Sequence, residues 1–477
     1  AGPPPVQLEP PATLGAWTFW TTGQGLSTNV QDVSADEAGN VYVAGTDALY
    51  AKAKDAQFFL RFDAANAGLT QNCYQGVLAD TPATHAQFSA SINKKLHPAP
   101  PGPAIACPVI SVAGAAPGLA AIGLQGIGTD GDNDADWAID SGGMDLVKFD
   151  PVAGTAARTR HVFFASPPHY ICGATGAESA GATSCPDVTD PIWVGGRRKL
   201  RQVFRIVVNH DTKSPMYGDI WAGGTHATFA ALVNNAEQRG WVDIVKDQPD
   251  PKWQDAKDVW EHDHPGIAGA HGEFLTGYTY AMSIDPVTGR PWASNGFRTG
   301  WMENYGANVS SKLWWIGPTR PKPAKQWIDI WPDDADPQDG TNDSILSITH
   351  CPDRSVWVGS YTHALAHLDA SGNVLGTAGL PDSATNGDSV SAVACDPSDG
   401  SLWIGLGWGG LMRLKDGQFS VPFPPGSGAP AFTSRAVKSI QIDRWSSPRV
   451  VYVAFQPKLD AAGNVTIPGG VASYDGP

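Results

Sequence analysis

Three histidines and three carboxylates fall within Glu261–Glu273, the densest titratable stretch of the chain. His262, His264, His271 and Glu273 have the ligand types that zinc and other transition metals prefer. Their spacing matches no standard zinc motif. The competing reading is a solvated polar loop whose imidazoles bond its own backbone. A second candidate is the turn Asp130-Gly131-Asp132-Asn133-Asp134-Ala135-Asp136. Asp130, Asp132, Asp134 and Asp136 alternate as in the first half of a calcium loop, although position twelve is Ser141 instead of glutamate. A structural Ca²⁺ there would relieve repulsion among four carboxylates; the alternative is an acidic solvated turn. Of the two ions, calcium is the better supported. A third set is dispersed. His226, Tyr278, Arg298 and His363 are the residue types a polysaccharide lyase needs: Arg or His to neutralise a uronate carboxylate, Tyr or His to move the proton. Each could equally complete hydrogen bonds within its own structural unit. Tyr361, and Trp408 between two glycines, offer rings to a ligand. No phosphate loop, Gly-x-Ser-x-Gly elbow or dinucleotide fingerprint is present.

Residues this far apart need a repeating scaffold to bring them together, and one is visible. Runs of β-branched residues give way to a polar turn and then to an aromatic-apolar-small signature. Tyr42-Val43-Ala44, Trp221-Ala222-Gly223, Trp357-Val358-Gly359 and Trp403-Ile404-Gly405 are the clearest copies, with weaker ones at Trp137, Trp292 and Tyr452. Seven such units predict an all-β, seven-bladed β-propeller. Trp193, in a further Trp-Val-Gly-Gly run, keeps eight blades open. The isolated strand at 16–22 and the final strand at 470–475 are expected to pair and close the ring. Residues 1–14 read as a Pro-rich spacer, and 15–477 as one domain with insertions at about 66–108, 168–198 and 234–276. In such a ring, the loops entering the inner strands and those joining second to third strands share one face. That loop-rich face would carry the dispersed candidates, and the turn at 130–136 would lie on the other.

The bulk numbers agree. The chain has 477 residues, with 54 Gly and 39 Pro, which suits short strands and turns. A net charge of −15 disfavours nucleic-acid binding. No apolar run is long enough for a transmembrane helix. Six cysteines without a CxxC spacing suggest disulfides. Cys73 with Cys107 and Cys172 with Cys185 bracket long loops, and these pairings are expected. Cys351 and Cys395 end successive inner strands; a disulfide and two buried thiols are both open.

Thr21-Thr22-Gly23-Gln24-Gly25-Leu26-Ser27-Thr28-Asn29-Val30, followed by Asp36…Gly39-Asn40-Val41-Tyr42-Val43, resembles the propeller repeat of extracellular sensor regions in bacterial two-component regulators. Residues 386–414 are similar. The resemblance implies an exported bacterial propeller, not signalling. The expected protein is extracellular, periplasmic or on the outer surface, with anchoring through the N-terminal spacer open. It would bind or scaffold a glycan, peptide or protein partner on the loop-rich channel face. The alternative is a secreted polysaccharide lyase or metal-dependent hydrolase on that face.

Overall fold

A computed structural model describes residues 8–71, 105–126, 143–162, 202–214, 217–224, 279–289, 291–294, 330–331, 345–381, 389–407, 409–423 and 434–476, with the backbone of short strands between them. The chain is all-β. Its described helical elements are Ala64–Ala67 and a short 3₁₀ turn at Thr22–Gln24. The described residues form seven antiparallel sheets of four or five strands, with smaller pairings in the long connections. The innermost strands are Val30–Ala35, Val109–Gly114, Val203–Val208, Met282–Ile284, Ile345–His350, Val390–Cys395 and Val437–Asp443. In the first six sheets the strands follow chain order from inside to outside. Each inner strand packs on the inner strand of the next sheet, and the seventh packs on the first.

The seventh sheet joins the two ends of the chain. Trp17–Trp20 pairs antiparallel with Gly470–Tyr474, with Trp17 opposite Tyr474 and Trp20 opposite Val471. Trp17, Phe19 and Trp20 are buried there. Ala12–Leu14, inside the segment read as a spacer, adds a fifth strand outside Trp17–Trp20. The main chain of Glu9 also donates to Gly23.

The aromatic signature has a physical origin in the packing between sheets. Tyr42, Trp221, Trp292 and Trp403 are fully buried on second strands. Tyr42 sits edge-on to Phe149 of the next sheet, with ring centroids 5.9 Å apart. The glycine that follows is a matter of clearance. A Cβ at Gly405 would lie 2.3 Å from Val437 Cγ1, and one at Gly359 would lie 2.6 Å from Val390 Cγ1. Both valines open the inner strand of the following sheet.

Two expectations need correction. The signature expected at Trp137 is not on the second unit's second strand, which is Leu119–Leu124; the third is Gly143–Asp150. The second strand lacks an aromatic, and Phe149 on the third strand meets Tyr42 instead. The acidic turn at 130–136 therefore falls between second and third strands, not between first and second. Within the stretch 234–276, Glu237–Asp243 belongs to the sheet framework, as the fourth strand of the third sheet, and 244–276 lies outside the described residues. The run at Trp193 pairs within a three-stranded sheet of its own insertion.

Deleting residues 1–23 removes three buried aromatic side chains and bares a sheet edge. The expected loss is roughly 5 kcal/mol or more, at about 1.5–3 kcal/mol for each large buried side chain. Calorimetry and size-exclusion chromatography should show a lower melting temperature and aggregation. Unchanged melting would contradict closure by this strand.

Candidate functional site

The ring of inner strands leaves space along its axis. At the end where the inner strands finish, all seven sheets contribute to a cavity of about 630 Å³. At the end where they begin is a smaller cavity of about 150 Å³. Asp32 and Arg205 line both, so the two cavities are the wide and narrow ends of one channel.

The turns at the wide end are held by acidic latches. Asp36, fully buried, accepts from the main chain of Ala38 and Asn40, from Tyr42 Oη at 2.8 Å, and from Gly118 N of the second sheet at 2.7 Å. Asp285 of the fourth sheet pairs with Arg354 Nη2 of the fifth at 2.8 Å. Burial raises the Asp285 pKa, but the Arg354 bond and local N–H donors outweigh it and hold the carboxyl at about 2. Asp396 of the sixth sheet lies 2.5 Å from Arg449 Nε of the seventh, an ion pair whose N–H is not aligned as a hydrogen bond. In the fifth sheet the latch is covalent. Cys351 follows the inner strand directly and is disulfide-bonded to Cys395 of the sixth sheet, with the Cα atoms 5.2 Å apart.

The second sheet has Ala115 where the first has Asp36, and the first sheet reaches over it. Glu37 Oε1 accepts from His210 Nδ1 of the third sheet at 3.0 Å, and Glu37 Oε2 accepts from Tyr217 Oη at 2.6 Å. The His210 bond is the leading cause of a lowered Glu37 pKa. Burial lowers the pKa of His210 despite the carboxylate. Burial therefore holds His210 neutral, and ionised Glu37 fixes its proton on Nδ1, which leaves the Nε2 lone pair available. Trp445 stands edge-on to His210, centroids 4.7 Å apart, and Arg444 lies over the Trp445 ring at 5.1 Å. His210, Arg444 and Trp445 all line the wide cavity. A carboxylate-oriented imidazole beside a cation and an indole can bind a polar ligand or accept a proton from one.

His350 lines the same cavity more deeply. Its Nδ1 lies 2.9 Å from Ser283 Oγ, its ring meets Trp292 edge-on, and Nε2 is buried without a hydrogen-bond partner. Burial pushes its pKa down to about 4; Asp285 opposes this and Arg354 adds to it.

The narrow end is shaped by bulges. Six inner strands shift register between their first and third residues. A bulge re-aims its extra residue. Here the extra residues are Gln31, Ile110, Phe204, Leu346, Ser391 and Lys438, and all six line the narrow cavity. Tyr361 and Gly407, from second-to-third connections, join them with Ser389 at the start of an inner strand. The sharing of one face by these loop classes holds among the described residues.

Of the sequence candidates, Tyr361 is half exposed at this narrow mouth. His363 stacks on Trp331, centroids 5.1 Å apart, and its main-chain N–H donates to Ser360 Oγ at 2.9 Å. Arg298 opens the third strand of the fourth sheet. His226, Tyr278, His262, His264, His271, Glu273, Trp408 and the Asp130, Asp132, Asp134, Asp136 turn lie outside the described residues. Among the described residues, no group of three His, Cys, Asp or Glu could hold a metal ion. Cys107 is disulfide-bonded, and Cys73 pairs in register opposite Ile105. Cys172 ends a short strand, and Cys185 lies outside the described residues. The sequence reading passed over Glu37, His210, Tyr217, Arg444 and Trp445. Their common signal is position: each falls in or near the turn after an inner strand.

No protein-family model and no curated protein matches the chain. Several solved structures align with it. One is virginiamycin B lyase from Staphylococcus aureus, with a TM-score of 0.45 and 9% identity, covering 96% of this chain and 99% of that one. A chain of a mitotic checkpoint complex gives a TM-score of 0.47 and 10% identity, over 99% and 96%. PorZ, a surface component of the type-IX secretion system of Porphyromonas gingivalis, gives 0.44 and 12%, over 94% of this chain and 47% of that one. Likeness at this level carries no chemistry across.

Two titrations test the wide end. Glu37→Gln removes the carboxylate that favours protonated His210, so the imidazole NMR midpoint of His210 should fall below its wild-type value. For His350 the folded pKa of about 4 lies below the unfolded value, so the unfolded state binds the extra proton between them. Stability is then fully present above about pH 6.5 and falls as pH drops toward 4. His350→Asn should flatten that part of the melting-temperature profile. An unchanged slope would contradict a buried neutral His350.

Proposed function

We propose that the seven sheets are the blades of one closed β-propeller, and that the protein is an exported binding or scaffold module. It takes a glycan, peptide or protein partner at its central channel. The observation that carries this reading is the cavity of about 630 Å³ to which every sheet contributes. It combines imidazole, guanidinium, carboxylate and indole groups, a mixture suited to a polar ligand with some apolar surface. The Cys351–Cys395 disulfide supports an oxidising compartment. No described helix is long and apolar enough to cross a membrane. The likeness to extracellular sensor repeats fits the same location. A structural Ca²⁺ at Asp130–Asp136, a transition metal at His262, His264, His271 and Glu273, and disulfides Cys73–Cys107 and Cys172–Cys185 belong to this proposal.

A second reading, a polysaccharide lyase, is favoured by one observation. Glu37 fixes His210 with Nε2 free to act as a base, and Arg444 stands nearby to meet a uronate carboxylate. It replaces the dispersed set of His226, Tyr278, Arg298 and His363 as the more economical catalytic centre. Appearance of unsaturated uronate from acidic polysaccharides, lost in His210→Ala, would select it.

Gln441 lines the wide cavity but not the narrow one. Gln441→Trp should obstruct the wide end and leave folding intact. Glycans, short peptides and small organic acids screened by ligand-observed NMR should include binders that lose at least tenfold in affinity in this variant, about 1.4 kcal/mol. Binders indifferent to Gln441→Trp but lost on altering the outer strands would overturn channel recognition.

A further inference from the structure

The narrow mouth is chemically two-sided. Going round the ring, the second to fifth sheets present Ile110, Phe204, Tyr280 and Leu346. Phe204 and Tyr280 form a tilted aromatic pair, centroids 4.9 Å apart. The sixth, seventh and first sheets present Ser389, Ser391, Lys438 and Gln31 instead. A largely apolar arc, interrupted by Arg205 of the third sheet, thus faces a polar one across a space of about 150 Å³.

Among the described residues, the charges in this mouth do not balance: the charged lining is Lys438, Arg205 and Asp32, two cations and one anion, in a chain of net charge −15. Asp32 is engaged by main chain: Oδ2 accepts from Val112 N at 3.0 Å and Oδ1 from Val33 N at 2.9 Å. Neither Lys438 nor Arg205 forms an ion pair with any described residue. Lys438 reaches the lumen with an exposed side chain, yet protein surrounds it. That desolvation is the leading cause of its lowered pKa; Asp32 opposes the shift, and the like charge of Arg205 adds to it. Holding two cations in a confined lumen is unfavourable unless an anion joins them.

A separate observation points the same way. Ser389 is 7% exposed, and its Oγ has no hydrogen-bond partner. It lines this mouth on the polar arc. A buried hydroxyl without a partner costs about 1–3 kcal/mol, which a ligand oxygen would recover.

We propose that the narrow mouth binds an organic carboxylate. Its acid group sits among Lys438, Arg205 and Ser389, and its apolar or aromatic body lies on Phe204 and Tyr280. An inorganic anion would leave the apolar arc unused, and a neutral apolar molecule would leave the cations uncompensated. The proposal rests on the reading of the channel as a ligand site, but it concerns the end opposite Gln441. A free small acid and the C-terminus of a peptide share this chemistry.

The test is calorimetric titration of the full chain with phenylacetate, phenylacetamide and inorganic phosphate, and with a short peptide ending in Phe as free acid or amide. Phenylacetate should bind the wild type, and at least about tenfold more weakly to Lys438→Met, as expected for losing a charged hydrogen-bond donor. Lys438→Arg should restore binding, and Ser389→Ala should weaken it. Phenylacetamide and phosphate should bind at least tenfold more weakly than phenylacetate. Tighter binding of the free-acid peptide would identify a peptide terminus as the source; tighter binding of phenylacetate would identify a small acid. Either supports the carboxylate site. Should Lys438→Met fail to fold, wild-type binding must still weaken as rising pH deprotonates Lys438, with no fall in melting temperature over the same range, because a lysine with a lowered folded pKa gains stability as it deprotonates. Binding of the amide as tight as the acid, phosphate as tight as phenylacetate, or no phenylacetate binding at all would overturn the proposal. Gln441→Trp should leave phenylacetate binding in place, so failure of the wide-end reading and failure at the narrow mouth are told apart.

Discussion

An inner strand in this ring has one edge laddered to its own second strand and a second edge that borders the axial cavity beside the neighbouring sheet. The N–H and C=O groups on that second edge have no strand to pair with, and buried main-chain groups left unpaired are costly. The chain meets the constraint with side chains. Ser34 Oγ accepts from Gly114 N at 2.9 Å and Asp32 Oδ2 from Val112 N at 3.0 Å, joining the first and second sheets. Ser111 Oγ donates to Val203 O at 2.6 Å, joining the second and third. Thr349, Ser391 and Ser439 do the same between the fifth and sixth, sixth and seventh, and seventh and first. The small polar residues scattered through otherwise apolar inner strands are there for this reason.

The same arrangement produces the channel chemistry. A side chain bonded sideways to the next sheet has less to offer a ligand, so the lumen is left chiefly to the residues the bulges turn inward, of which Ser391 does both, and to those in the turns beyond the strands. Bulges give the narrow end its ring of Gln31, Ile110, Phe204, Leu346, Ser391 and Lys438. At the wide end, Asp36, Asp285 and Asp396 fasten each turn to the next sheet, and a disulfide takes over at Cys351. Where the second sheet has no carboxylate, Glu37 spans to the third and orients His210 in doing so. A structural latch and a candidate functional group are here one hydrogen bond.

The framework was legible because its rules are local. Trp403 and Gly405 announce a second strand that buries a ring and clears room for the next sheet. The strand at Trp17–Trp20 needs a partner, and the last strand of the chain is the one left to supply it. Reading failed at Trp137 because the real second strand, Leu119–Leu124, carries no aromatic. The wide-end site was hidden for a different reason: Glu37 and His210 meet across 173 residues of chain. No spacing rule joins them, although each follows an inner strand, as do Arg444 and Trp445. Counting histidines led instead to His363, which the structure occupies with Trp331.

Amide hydrogen exchange tests the central claim that side chains seal the free edges of the inner strands. Val33, Val112, Gly114 and Cys395 donate to Ser, Asp or Thr side chains of adjacent sheets. In the wild type their amides should exchange as slowly as those in the sheet ladders. Ser34→Ala should release Gly114 while Val112, held by Asp32, stays protected. Fast exchange at all four positions in the wild type, or no selective change at Gly114, would contradict the seal.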